Sequence, residues 1–158
     1  MIIVSDTSPV TNLIQIKQLD LLRLLFKKII IPVSVFEELT VIKEQAAIIS
    51  NCDWIEIIAA KDKEKIHLYE KEVDKGEAEA IVLAAELHAD LLLMDDQKGR
   101  HLAEKNGLKI VGFLGVLVTA KNQQLITSIK PLLDSLIHDA GFRISPVLIN
   151  SILNLTGE

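Results

Sequence analysis

With 158 residues, 49% of them apolar, and a single cysteine, Cys52, the chain fits one compact domain in a reducing compartment and excludes an internal disulfide. No apolar stretch is long enough to span a bilayer, and Asp6 interrupts the apolar N-terminus, so neither a membrane segment nor a signal peptide is expected and the protein is placed in the cytoplasm. An aromatic content of 4% and a net charge of −5 argue against base stacking or a broad basic surface as the main route to nucleic acid.

The opening run, residues 2–5, reads as a strand, followed by a helix start at Asp6-Thr7-Ser8-Pro9 with Ser8 as cap and Pro9 at the first helical position. Residues 10–16 and 19–26 read as short helices. Residues 28–31, β-branched and stopped by Pro32, read as a second strand. Helices over 33–41 and 42–50, a strand over 54–58 and a charged helix over 61–73 come next. Gly76 then punctuates the chain before an Ala-rich helix over 77–88. Residues 91–94 form a fourth strand, too short for a helix and free of Gly and Pro. A helix over 98–106 ends at Gly107, a fifth strand covers 109–112, and helices follow over 114–121, 129–138 and 146–155. Strands alternating with helices predict a three-layer α/β/α domain around a parallel sheet.

Two of the buried strands end in acid. Asp6 follows Ile2-Ile3-Val4-Ser5, and Asp95-Asp96 follow Leu91-Leu92-Leu93-Met94. In an open α/β sheet chemistry gathers at such strand ends, and carboxylates that converge there repel until a divalent cation joins them. Each acid also has a plainer role. Asp6 suits a local turn or cap, and one of Asp95 and Asp96 is expected to cap the helix that follows, with Asp95 favoured for the inward position. Glu37 and Glu38 lie on the third helix, pointing to different sides. Glu77 and Glu79 open the Ala-rich helix, where acids suit the helix dipole. Residues two apart on a helix point about 200° apart, so only one of that pair is expected to face the site. Glu77, one turn from Ile81, is the choice, and Glu79 is expected to be exposed or paired locally. Asp6, Glu38, Glu77, Asp95 and Asp96 together carry five negative charges, and without them the chain is neutral.

The segments Ser5-Asp6-Thr7-Ser8-Pro9, Val35-Phe36-Glu37-Glu38-Leu39, Gly76-Glu77-Ala78-Glu79-Ala80 and Leu93-Met94-Asp95-Asp96, in this order and spacing, resemble the PIN domain. With Gly112-Phe113-Leu114-Gly115-Val116-Leu117 and the closing stretch 145–158, they look like a VapC-like prokaryotic branch of PIN proteins of largely unassigned function. The resemblance runs nearly end to end and implies a single domain over 1–158 with a C-terminal helical extension. It further implies a Mg²⁺- or Mn²⁺-dependent endoribonuclease leaving 5′-phosphate and 3′-hydroxyl ends, often the toxin of a toxin–antitoxin pair. By that resemblance Asp6, Glu38, Glu77 and Asp95 or Asp96 bind metal, and Ser8 helps to position the metal's water or an acid. Glu77 stands where the family often has Asp, and the late acid is doubled.

Phosphodiester cleavage needs an activated water, charge relief on phosphoryl oxygens and help for the leaving oxygen, all of which Mg²⁺ on a few carboxylates supplies. His67, His88, His101 and His138 are scattered and make no zinc pattern with Cys52. Arg100 and Lys98 follow the Asp pair and are the candidates for RNA phosphate contacts, Arg100 first for its bidentate geometry. No GxGxxG or P-loop is present, so no nucleotide cofactor is expected. Expected partners are an RNA substrate, a small antitoxin protein and a second copy in a homodimer, whose face the apolar terminal helices would supply. The alternative reading is a non-catalytic PIN-like interaction or regulatory module. A phosphoacceptor domain is weaker still, since Lys109 opens the last strand instead of ending it.

Overall fold

The computed structural model describes residues 1–141 and 143–158. The elements run β1 (Ile3–Ser5), α1 (Thr7–Gln15), α2 (Asp20–Phe26), β2 (Ile29–Pro32), α3 (Val33–Thr40), α4 (Lys43–Ser50), β3 (Ile55–Ile58), α5 (Lys63–Tyr69), α6 (Lys75–Glu86), β4 (Leu91–Leu93), α7 (Gln97–Lys105), β5 (Ile110–Val111), α8 (Phe113–Asn122), α9 (Lys130–Ala140) and α10 (Pro146–Leu155). The strands form one all-parallel sheet in the order β3-β2-β1-β4-β5. This is the three-layer α/β/α arrangement that the alternation of strands and helices predicts.

The central strands can be short because they are apolar on both faces and buried on both. Successive residues serve opposite layers. Ile3, Ile29, Ile31 and Leu93 join Val10, Leu13, Leu22, Phe113, Leu117 and Leu133 in one core. Val4, Ile30, Leu92 and Met94 join Ile66, Ile81 and Leu102 in the other. Thus α1 leaves β1 on one face of the sheet and α7 leaves β4 on the other. β1 and β4 are neighbours, paired Ile3 to Leu91 and Ser5 to Leu93. The strand order reverses between them, which opens a crevice at their carboxyl ends.

Three local expectations change. The helix expected over 61–73 stops at Tyr69, because Asp74 caps a new helix that already includes Gly76. A Cβ on that glycine would run into the end of the Glu38 side chain, whose carboxylate lies directly over it. Pro32 does not stop the second strand short; it is the last residue of β2 and the N-cap of α3. The fifth strand shrinks to Ile110–Val111 because Gly112 already begins the turn into α8. Past α7, Gly107 takes the left-handed φ of 72° that ends a helix. At the far end of the chain, the Glu158 carboxylate accepts from Lys121 Nζ, the Ser128 hydroxyl and the backbone N–H groups of Ile129 and Lys130, tying the end of α10 to α8 and α9. Among the described residues no helix is long and apolar enough to cross a membrane.

Candidate active site

The crevice is laced by the Asp6 N–H, which donates to the Leu93 carbonyl at 2.9 Å and sets the end of β1 beside the end of β4. Asp6 stands at the N-cap position of α1, yet its side chain makes no capping bond, and it is only 4% exposed. The cap is therefore not Ser8, as the sequence suggests. The helix starts at Thr7, Pro9 falls within its first turn where a missing N–H costs nothing, and Ser8 is exposed. Burial pushes the Asp6 carboxyl up to about 7 against the pull of the Thr7 backbone N–H, and the charges of Asp74, Glu38 and Asp95 push in the same direction as burial.

Glu38 reaches this crevice from α3. Its carboxylate lies over Gly76 at the start of α6 and accepts from the Thr7 hydroxyl at 2.7 Å. Thr7, next to Asp6 in the chain, is a residue of this crevice that sequence reasoning passed over in favour of Ser8. Asp74 is another. Its carboxylate accepts from the Glu77 N–H at 2.8 Å and caps α6. The signal was available, because Asp74-Lys75-Gly76-Glu77 has the spacing of a capping box. Glu77 is buried at 8% exposure, and its Oε2 has no hydrogen-bond partner. Burial first, then the neighbouring carboxylates of Asp74 and Asp96, hold its carboxyl far above the usual range.

Glu79 corrects a sequence expectation. It is neither exposed nor locally paired. It is 6% exposed, and its carboxylate accepts from the Ser34 N–H at 2.8 Å and the Ala60 N–H at 3.0 Å. It thus ties the start of α3 and the loop after β3 to α6, away from Glu77.

The two late acids divide their roles. Asp96 is exposed and caps α7, accepting from the Gly99 N–H at 2.9 Å. Asp95 turns toward β5, where Oδ1 accepts from the Phe113 N–H at 2.7 Å while Oδ2 is buried without a partner. Burial raises the Asp95 carboxyl, and the Phe113 N–H and the Arg100 charge draw it part of the way back. Arg100 is partly buried and donates from Nη1 to the Met94 carbonyl at 3.3 Å, whereas Lys98 is exposed. Both Asp95 and Arg100 border a cleft of about 870 Å³ that runs between α7 and α8 toward α10. Replacing Asp96 by Ala is expected to cost about 1 kcal/mol in a thermal or denaturant melt, while Asp96→Asn, which can itself cap, costs much less.

The chemistry of this set suits a hard divalent cation. Asp6, Glu77 and Asp95 offer carboxylate oxygens inside the protein, and two of those oxygens, Glu77 Oε2 and Asp95 Oδ2, have no donor. Among the described residues none of these acids has a Lys, Arg or His in ion-pair contact. No Cys or His joins them, which fits Mg²⁺ or Mn²⁺ better than zinc. Among the described residues no three acidic, His or Cys side chains already stand at metal-holding distance. The carboxylates are gathered round the strand ends but not closed upon a point.

Comparison with curated proteins gives no match. A family model described as the PIN domain matches residues 2–158. PIN domains are in general nucleases, and strand ends bearing acids are consistent with that class of chemistry. The match takes in all five strands and every helix around them, and the chain therefore belongs to the PIN-domain family.

Proposed function

We propose that this protein is an endoribonuclease dependent on Mg²⁺ or Mn²⁺. The observation that supports this most is the pair of buried, donor-free carboxylate oxygens on Glu77 and Asp95 in the crevice beside Asp6. Isolated buried charge of this kind is costly, and a cation held between the carboxylates would offset it. Asp6, Glu77 and Asp95 would hold the ion, with Glu38, steadied by Thr7, on the opposite wall. When bound, the ion supplies an activated water, charge relief on the phosphoryl oxygens and help for the leaving oxygen. Asp96 keeps the first turn of α7 in place beside Glu77. Lys98, exposed on that turn, and Arg100, at the cleft, are the cations nearest the crevice along α7 and would meet the RNA backbone. Ser8, exposed on the first turn of α1, would face substrate or its water. The products would carry 5′-phosphate and 3′-hydroxyl ends.

A small antitoxin protein and a second copy of the chain are the partners that go with this reading. Val147 and Leu155 on α10, 76% and 75% exposed, are apolar surface available to either. The test is cleavage of a mixed single-stranded RNA pool with Mn²⁺. Wild type should cut. Asp6→Asn and Glu38→Gln should lose cleavage while melting no lower than wild type, since each removes repulsion. Failure of wild type to cut RNA with any divalent metal would leave an interaction module as the better account.

A further inference from the structure

Gly112 poses a question that its backbone does not answer. With φ −86° and ψ 175° it lies in the extended region, open to any residue. What glycine provides here is room for two side-chain ends, which a Cβ would force to move. A Cβ at this position would fall 2.8 Å from Asp95 Oδ1 and 2.8 Å from Arg100 Nη1, so both side chains close directly over the glycine. The Asp95 oxygen in this notch is the one fixed by the Phe113 N–H at the start of α8. The Arg100 nitrogen in it also donates to the Met94 carbonyl, the main chain immediately before Asp95. Oδ1 is therefore fixed by the N-terminus of α8 and seated over the floor left bare by Gly112, with the Arg100 guanidinium, anchored to the Met94 carbonyl, across the same floor and outside ion-pair contact. Only Oδ2 remains, buried and without a donor.

We infer that Gly112 and Arg100 are positioning residues for Asp95. They aim its unused oxygen into the crevice, a role that Arg100 has in addition to the phosphate contact proposed above. This inference rests on the metal-dependent reading above for its consequence in metal binding, but the notch itself does not need the metal. Groups that orient a ligand from behind typically change metal affinity by about 10- to 100-fold when removed. The planar guanidinium is fixed by the Met94 carbonyl beside Asp95 and fills its side of the notch, whereas a lysine offers a single, flexible point of charge.

The experiment measures Mn²⁺ affinity by electron paramagnetic resonance, beside thermal melts, for wild type, Gly112→Ala, Arg100→Lys and Arg100→Gln. Gly112→Ala and Arg100→Gln should bind Mn²⁺ about 10- to 100-fold more weakly, and Arg100→Lys should not rescue. Rescue by Arg100→Lys would show that charge alone matters and would overturn the role given to Arg100. Gly112→Ala binding as tightly as wild type would overturn the role given to the glycine. Melts separate this from the nuclease reading. The Tm loss of Gly112→Ala should shrink to near zero when Asp95 and Arg100 are both Ala, because no side chain then occupies the notch. A wild type that binds no Mn²⁺, yet shows that coupling, would sink the proposed function and leave the notch intact. Absence of the coupling would sink the notch itself, whatever the metal does.

Discussion

Asp6→Asn should make the metal-free protein more stable at neutral pH while removing most of its response to divalent metal. The Asp6 carboxyl titrates near 7 in the folded chain and near 3.8 when unfolded. Below about pH 4 both states carry the proton and the difference vanishes. Between about 4 and 7 the unfolded chain gives up its proton first, so the native state falls in stability as pH rises and levels off above about 7. A shift of about three pH units corresponds to a loss on the order of 4 kcal/mol. Glu77, whose folded carboxyl is raised further, extends the same downward slope above neutrality. Asparagine at position 6 cannot ionise, so the mutant should be flatter across this window and higher at pH 7–8 in chelator. Mg²⁺ or Mn²⁺ should raise the wild-type Tm by mass action and the mutant's by much less. Melts from pH 4 to 8, with and without metal, check both statements. Equal metal shifts in wild type and Asp6→Asn, or a wild-type stability that does not fall with pH, would contradict the site.

Glu79→Ala should be among the most destabilising single changes near the site, although Glu79 has no place in the proposed chemistry. Its carboxylate is the partner of two backbone N–H groups, those of Ser34 and Ala60. Removing it orphans both inside the protein, at roughly 1–3 kcal/mol each, so the total should be about 2–6 kcal/mol. Glu79→Gln keeps one acceptor oxygen and should lose about half as much. Denaturant melts give the stability, and Mn²⁺ affinity of the still-folded Gln variant should stay near wild type. A Glu79→Ala protein as stable as wild type would mean that these two bonds do not hold the start of α3 and the loop after β3 in place.

The contrast between Glu77 and Glu79 marks how far the amino-acid sequence reaches. Helical phase correctly separates the two by about 200°, but it cannot tell that both faces of the first turns of α6 are buried. From Gly76 to Ala84 every residue is buried, because the helix lies against the sheet with α3 and α5 beside it. By contrast, the apolar runs ending at Asp6 and at Asp95-Asp96 are local patterns, and they were enough to place acids at two strand ends and to predict a parallel sheet with helices on both faces. Family resemblance was legible for the same reason, since it rests on short segments in a fixed order. Thr7 on Glu38, Arg100 over Gly112 and Asp74 beside Asp6 were not legible as partners, though the Asp74 capping pattern could have been seen. The separate partners of Asp95 and Asp96 were likewise set by neighbours, the N-terminus of α8 for one and that of α7 for the other. Periodicity reports which side of one element is apolar. The partner of a buried polar group comes from another element, 45 residues away for Glu79 and Ser34 and 31 for Glu38 and Thr7, and only the folded chain brings the two together.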